Sequence, residues 1–326
     1  MRILVTGGSG FIGTNLMDSL TTRTQEILNV DVESPPKSEH AQFWSECDVL
    51  DVNSLNKQFQ GFRPETVIHL AAKTDTKSRD LRDYLANTEG TSNLLEAVRH
   101  MPTVKRLIIA STQFTCEPGY IPKHDEDFRP YTAYGESKAI AEKLLRAAEL
   151  HCTWTIVRPT NVWGPWHPRY PSEFWYVLKK GWYFHPKTKH PVVRSYGYVG
   201  NVVWQIERLL GASPSEVDRK VFYIGDRPME LLEWVNEFSL AIAGERVRIV
   251  PTSFMLALAL VGSVLASVGV KFPINLSRFR SMTQDYVVPM EPTFAAFGEP
   301  PFSLSEGVIH TIKWLEHEQF FSSMAG

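Results

Sequence analysis

Residues Arg2 to Gly13 read RILVTGGSGFIG. The apolar run Ile3-Leu4-Val5 suits a short strand buried on both faces. Glycines follow at Gly7, Gly10 and Gly13, and the chain after them has helical spacing. A missing Cβ lets the backbone turn tightly at Gly7, lets a pyrophosphate approach the main chain at Gly10, and lets the helix sit close to the strand at Gly13. Phe11 and Ile12, which open the helix, belong to the same candidate set. Free N–H groups at the helix start, with the positive end of its dipole, favour phosphates. A glycine triplet alone is a weak signal, because Gly-rich turns are common; the strand before it and the helix after it give it weight. Asp31 stands eighteen residues past Gly13, at the end of a second strand-like run, Ile27-Leu28-Asn29-Val30. A carboxylate there accepts hydrogen bonds from an adenosine ribose and repels a 2′-phosphate. The pattern predicts NAD in preference to NADP, with Lys37 nearby to soften the preference.

Outward from this turn, strand-like and helix-like runs alternate. Phe43 to Cys47, Thr66 to Leu70, Val104 to Ala110 and Thr155 to Val157 are candidate strands; Leu55 to Phe59, Leu81 to Arg99 and Ala133 to Leu150 are candidate helices. Repeated units of this kind predict an α/β fold, a doubly wound parallel sheet of the Rossmann type with right-handed crossovers. Ligands of such sheets lie beyond the carboxyl ends of the strands. Past Pro159 the alternation is interrupted by Pro165, Pro168, Pro171 and Pro186. The expected division is a dinucleotide-binding domain over 1–165, with segments near 196–225 returning to it, and a smaller substrate-binding domain from 166–195 and 226–326. Ile249 to Val270 carries no charge over 22 residues. That length reaches across a hydrocarbon core. Pro251 and the interspersed Ser and Gly argue instead for a buried or substrate-facing helix, with membrane contact the less favoured reading.

Composition narrows the class. The chain has 326 residues, 43% apolar and 21% charged, which fits a core-forming protein and excludes disordered, collagenous and coiled-coil types. With 36 acids against 34 bases and no basic run, nothing points to nucleic acid. Cys47, Cys116 and Cys152 lack CxxC spacing and are too few for a disulfide scaffold, so a reducing, cytoplasmic setting is expected. The passage from Met1-Arg2 straight into the first strand leaves no room for a secretory signal, in keeping with that expectation.

Pro130 to Lys138 reads PYTAYGESK, which places Tyr134 and Lys138 at i and i+4, on one helix face. An ammonium beside a phenol lowers its pKa from about 10 towards neutrality. Such a phenol serves as a general base for a substrate hydroxyl, or in reverse as an acid for a ketone. The pair alone is common on surface helices. Its position after the run Ile109-Ala110-Ser111-Thr112 is more telling, because the end of that strand delivers the Thr112 hydroxyl to the same crevice. Tyr131, seven residues from Lys138, is the less suitable base.

Taken together, these stretches resemble the extended short-chain dehydrogenase/reductases of the NAD-dependent epimerase/dehydratase family, from end to end and most clearly over residues 1–165. The similar segments are TGGSGFIG, CDVLD around Asp48 and Val49, HLAA from His69 through Leu70, Ala71 and Ala72, NTEGTSNLLEA from Asn87, YxxxK, and RPTNVWGP around Asn161. The resemblance implies that Asp48 faces the adenine, that Ala71 and Ala72 line the cofactor groove, and that Lys138 also holds the nicotinamide ribose. Val49, Leu70 and Asn87 join the implied cofactor set, although Asn87 also suits a helix cap. It further implies a homodimer through two helices, one beginning near Tyr134. Family dehydratases carry an Asp-Glu pair after the catalytic hydroxyl; Gln113-Phe114 stands there, which disfavours dehydration. Cys116 replaces a usual Tyr and suits a packing role. Arg194, in VRSYGYVGN, resembles the position that holds a substrate diphosphate, a task suited to the guanidinium fork. With Thr112 and Asn161 as further substrate contacts, the implied reaction is epimerisation or reduction of a nucleotide sugar. Tyr198 to Val202 (YVGNV) and the uncharged stretch also resemble the hydroxysteroid dehydrogenase branch, with a hydrophobic substrate; a cofactor-sensing protein without turnover is a third reading. His69 reads as a packed histidine, and His167, His185 and His190 show no metal-type spacing.

Overall fold

The computed structural model describes residues 1–22, 26–267, 269–270 and 272–320. The last six residues of the expected substrate-binding segment, and residue 268 of the uncharged stretch, lie outside these. The first half alternates as β1 (Arg2–Thr6), α1 (Phe11–Thr21), β2 (Glu26–Asp31), β3 (Trp44–Glu46), α2 (Val52–Phe62), β4 (Thr66–His69), α3 (Leu85–Arg99), β5 (Arg106–Ala110), α4 (Ala133–Ala147) and β6 (Thr153–Pro159). The remainder comprises β7 (Asn161–Trp163), α5 (Tyr176–Lys179), β8 (Phe184–Lys187), β9 (Val193–Arg194), β10 (Tyr196–Tyr198), α6 (Val199–Gly211), α7 (Pro214–Val217), β11 (Lys220–Ile224), β12 (Met229–Glu230), α8 (Leu231–Ala243), β13 (Arg248–Pro251), α9 (Thr252–Ser267), α10 (Leu276–Thr283), α11 (Glu291–Phe297) and α12 (Leu304–His317).

Seven strands form one parallel sheet in the order β11-β6-β5-β4-β1-β2-β3, the doubly wound arrangement expected from the alternation. Order reverses between β1 and β4, so a crevice opens beyond their carboxyl ends. The central strands are apolar on both faces because helices cover both. Ile3, Val5, Ile68 and Ile108 point into one core with α1 and α6, while Leu4, Val67, Leu107 and Ile109 point into the other with α2 and α3.

Two boundaries differ from the sequence reading. The helix expected over Leu81–Arg99 begins as a 3₁₀ turn, Leu81–Tyr84, capped by the Asp80 carboxylate accepting from Arg82 N–H, before α3 starts at Leu85. Of the two segments expected to return to the sheet, only β11 pairs within it; β10 pairs with β7 in a separate two-stranded sheet. Among the described residues, segments 166–195 and 226–320 contribute no strand to the main sheet; they form short strands and helices, with α11 packed against β11.

Candidate active site

The glycine turn is built by its neighbours as much as by its own residues. Gly7 has φ of 75°, a left-handed conformation, and a Cβ there would collide with the Ala71 backbone. A Cβ on Gly13 would strike the Gly7 carbonyl. Asn29, buried in β2, accepts from Gly8 N–H at 2.9 Å and donates to Ser9 Oγ at 3.1 Å. Asp31 accepts from Ser9 N–H at 2.9 Å and from Glu33 N–H at 3.1 Å. Burial raises the Asp31 pKa against the pull of these donors. Gly10 is the N-cap of α1, and no side chain caps that helix, so its first N–H groups lie bare beside Phe11 and Ile12. A cap bare of side chains, with a carboxylate at the next strand end, fits a dinucleotide. Lys37 is not poised to soften the Asp31 preference: its ammonium pairs with Asp18 at 2.6 Å and Glu39 at 3.3 Å.

On the other side of the crevice, Leu70 N–H donates to Thr6 O at 2.9 Å and Ala71 N–H to Thr6 Oγ1 at 3.3 Å; Ala72 follows at the same strand end. Val49 is buried against Gly90 of α3, and Asp48 is exposed, its carboxylate accepting from Leu50 N–H. Asn87 is not a helix cap. Fully buried within α3, it accepts from Lys73 N–H at 2.8 Å and donates to Lys73 O and to Ser137 Oγ. It ties the β4 exit loop to α4. His69 lies between Thr6 Oγ1, at 2.7 Å, and Thr91 Oγ1, and burial lowers its pKa to about 3.

Thr112 and Tyr134 meet beyond β5. Thr132 caps α4 by accepting from Gly135 N–H, which sets Tyr134 in the first turn. The Thr112 hydroxyl lies near enough to act on the Tyr134 phenol, and Lys138, 2% exposed, lies one turn on. Lys138 does not depress the phenol as the spacing predicts. Burial pushes Tyr134 up to about 12, with Thr112 and the Arg169 charge opposing. Burial lowers Lys138 itself to about 8, opposed by the Glu142 carboxylate one further turn along α4. The sequence reading passed over Glu142, which accepts from Ser111 Oγ at 2.5 Å and from Arg158 at 2.8 Å; Glu142 is fully buried and Arg158 nearly so. A carboxylate on a helix looks like solvated surface in sequence; its buried partners come from β5 and β6. Gln113, next to Thr112, is fully buried, with neither amide atom bonded among the described residues. Cys116 is buried, its thiol against Asp127 O.

The roof over the crevice comes from the second half. Arg194, 7% exposed, donates from Nη1 to the carbonyls of Ser281 at 2.7 Å and Gln284 at 3.3 Å, and lies over the Tyr286 ring. These described partners are neutral, its Nε has none, and its charge acts on the phenols of Tyr131, Tyr170 and Tyr196. Asn161, half-buried at the start of β7, donates its backbone N–H to Ser195 O. Tyr286 fastens this roof: its main chain pairs with Val193 and Ser195, and its hydroxyl donates to Gln113 O at 2.8 Å and Cys116 O at 2.5 Å. Beside Tyr170 opens a cavity of about 460 Å³, walled by Phe174, Tyr196, Trp234, Met255 and Leu258 among others. Its two charged wall residues, Glu173 and Arg278, pair with each other at 3.1 Å. Tyr170 stacks on His167 at 4.0 Å, and His167 meets Phe11 of α1 edge-on at 4.9 Å, which links this cavity to the glycine turn.

The uncharged stretch proves two-sided. α9 turns Met255 and Leu258 to the cavity, as a substrate-facing helix would, yet leaves Phe254 50% and Val261 53% exposed. An apolar helix without periodic polar positions does not announce which face is covered. Among the described residues, no helix is long and apolar enough to cross a membrane.

Comparison with known proteins agrees with this geometry. The chain is 29% identical over 178 residues to a 3-beta-hydroxysteroid dehydrogenase of Mycolicibacterium neoaurum, covering 50% of this chain and 48% of that one. It spans about half the length of the first curated relatives it matches. In fold it is similar to a UDP-glucose 4-epimerase of Thermotoga maritima solved with UDP-glucose, with a TM-score of 0.75, 24% identity, and coverage of 98% of this chain and 100% of that one. It is also similar to a UDP-glucuronic acid 4-epimerase of Bacillus cereus solved with UDP-glucuronic acid and NAD, with a TM-score of 0.74, 19% identity, and coverage of 98% and 100%. The family model for NAD-dependent epimerases and dehydratases matches residues 3–225. With its seven-stranded parallel sheet and glycine turn, the chain belongs to the NAD-dependent epimerase/dehydratase family.

Proposed function

We propose that the protein binds NAD across the glycine turn and interconverts a secondary alcohol and a ketone, epimerising or reducing a nucleotide sugar. The observation that carries the reaction is the grouping of buried Thr112, Tyr134 and Lys138 beyond β5, with the Thr112 hydroxyl near enough to act on the Tyr134 phenol and the Lys138 ammonium one turn along. When bound, the nicotinamide would accept a hydride as NAD or donate one as NADH, so epimerisation would return the same hydride while net reduction would consume NADH. The chain supplies the rest. Tyr134 Oη takes the proton of the substrate hydroxyl, or returns it to the ketone oxygen, and Thr112 Oγ1 orients that oxygen. Lys138 brings positive charge to the nicotinamide ribose side, and Asp31 accepts from the adenosine ribose. Gly7, Gly10, Phe11, Ile12 and Gly13 cradle the phosphates, with Asp48, Val49, Leu70, Ala71 and Ala72 as walls and Asn87 as the brace behind them. Gln113 offers an amide where dehydration needs a carboxylate, so elimination of water is disfavoured.

Arg194 supports the nucleotide-sugar reading. A buried guanidinium whose described partners are neutral favours an anion, and a substrate diphosphate supplies one. Asn161 lies on the same rim. A second reading, a hydrophobic alcohol such as a sterol, is favoured by the cavity, whose wall is almost wholly aromatic and aliphatic. Three buried free cysteines suit a reducing compartment, and the paired helices α3 and α4 suit a homodimer.

The test is Tyr134→Phe. Turnover is expected to fall by about two to four orders of magnitude with NAD affinity by titration nearly unchanged. Near-normal turnover in that variant rules out the assigned role.

A further inference from the structure

Charge along this chain is strongly segregated. Residues 174–195 and 246–284 hold ten Lys and Arg and no Asp or Glu, in a chain whose totals are 34 and 36. These two segments are joined in space: β8 pairs in parallel with β13, Thr252 at the start of α9 donates its hydroxyl to Lys187 O, and α10 packs on α9. Of the nine that lie among the described residues only Arg194 is buried; Lys187 and Lys189 beside β8, Arg246 and Arg248 at β13, and Arg280 on α10 are exposed, and the exposed Arg278 pairs with Glu173. Within this cationic frame lies the outer face of α9. Phe254 is 50% exposed, Leu256 39%, Leu260 49% and Val261 53%, with Ile249 and Trp182 exposed beside them. Water is a poor partner for so many adjoining apolar side chains, and a patch of this kind marks a contact surface.

We propose that this face docks the protein onto an anionic lipid bilayer, with α9 lying in the plane of the interface. Apolar side chains framed by the exposed bases Lys187, Lys189, Arg248 and Arg280, unpaired among the described residues, with Glu173 engaged by Arg278 and Glu245 standing beside Arg246, match a surface of headgroup phosphates over acyl chains. At sixteen residues α9 is about 24 Å long, too short to span and suited to lie flat. Its inner side chains, Met255 and Leu258, wall the cavity. Docking therefore places the cavity against the membrane, separated from it by a single helix. The inference goes beyond the reading of the active site and does not depend on it, because binding to lipid is measured without turnover.

Vesicle sedimentation with the full chain tests it. The protein is expected to pellet with phosphatidylcholine vesicles containing phosphatidylglycerol, far less with pure phosphatidylcholine, and less as salt rises. Leu260→Asp/Val261→Asp is expected to weaken pelleting roughly tenfold or more with the thermal midpoint retained. Both side chains are exposed, so folding is not at stake; should that variant nevertheless unfold, Arg246→Glu/Arg248→Glu at two exposed positions gives the same reading through charge. Failure of the parent protein to pellet with anionic vesicles overturns the proposal, as does equal pelleting of parent and variants. Light scattering covers the other occupant. Self-association lost in Leu260→Asp/Val261→Asp, without lipid binding by the parent, assigns the face to a second copy of the chain and likewise overturns docking.

Discussion

Lys138 and Tyr134 share one helix face but not one electrostatic fate. Both are desolvated, and burial acts in opposite senses on an acid and a base: it pushes the phenol up to about 12 and the ammonium down to about 8. The i, i+4 spacing is legible in sequence, whereas the depth at which the pair sits is not, which is why a depressed phenol was expected and a raised one found. At neutral pH, Tyr134 is then a protonated donor and Lys138 a cation, the pairing that ketone reduction needs, whereas taking a proton from a substrate hydroxyl needs the phenolate and is favoured as pH rises. A lysine with a lowered pKa keeps its charge below that value and loses it above. The rate of reduction should therefore fall along an alkaline limb near pH 8, as Lys138 discharges. Lys138→Arg keeps a cation at any accessible pH and should move the limb upward, whatever it does to the maximum. A limb unmoved in a pH–rate profile assigns it to another group.

At the scale of elements, α4 is held to β5 and β6 by the buried cluster of Ser111, Glu142 and Arg158. Arg158 is 1% exposed and spans three elements, donating also to Tyr223 Oη of β11 and to Asp125 O. Removing one partner of a buried pair strands the other charge. Glu142→Ala should thus cost about 3–5 kcal/mol in denaturant unfolding. A loss under about 1 kcal/mol would show that Arg158 finds other acceptors. The elements themselves were largely readable. Apolar runs located β1, β2, β4, β5 and β6 to within two or three residues, because a strand covered on both faces leaves a largely continuous apolar signature. The edge strand β3 (Trp44-Ser45-Glu46) is only half-buried and was located from the flanking Phe43 and Cys47. The break between Tyr84 and Leu85 was not readable, since the Asp80 cap and the turn it closes follow no apolar period. Nor was the support of the glycine turn by Asn29, a lone amide in an apolar strand whose meaning depends on which loop lies over it.

For the whole molecule, the dinucleotide half follows from local patterns, while the roof depends on pairings between residues about ninety apart, such as Arg194 with Ser281 and Val193 with Tyr286. No periodicity encodes those, so the aromatic cavity and the exposed face of α9 emerge only in three dimensions. Substrate class is decided at this scale, by whether Arg194 or the cavity wall dominates. Thermal shift with UDP-, GDP-, CDP- and dTDP-sugars beside a sterol panel should show stabilisation by a nucleotide sugar, by roughly 1–2 °C for each 1 kcal/mol of linked binding energy in a chain this long. Stabilisation by sterols alone gives the site to the hydrophobic substrate.

Tyr286 carries a consequence for traffic through this architecture. Its main chain is stitched to β9 and its hydroxyl to the loop that begins with Thr112, so floor and ceiling are riveted at one point. Lifting the roof as a hinged lid would tear out that rivet and drag Thr112 with it. Movement of the roof is thereby coupled to the loop that follows β5, so the two shift together or not at all.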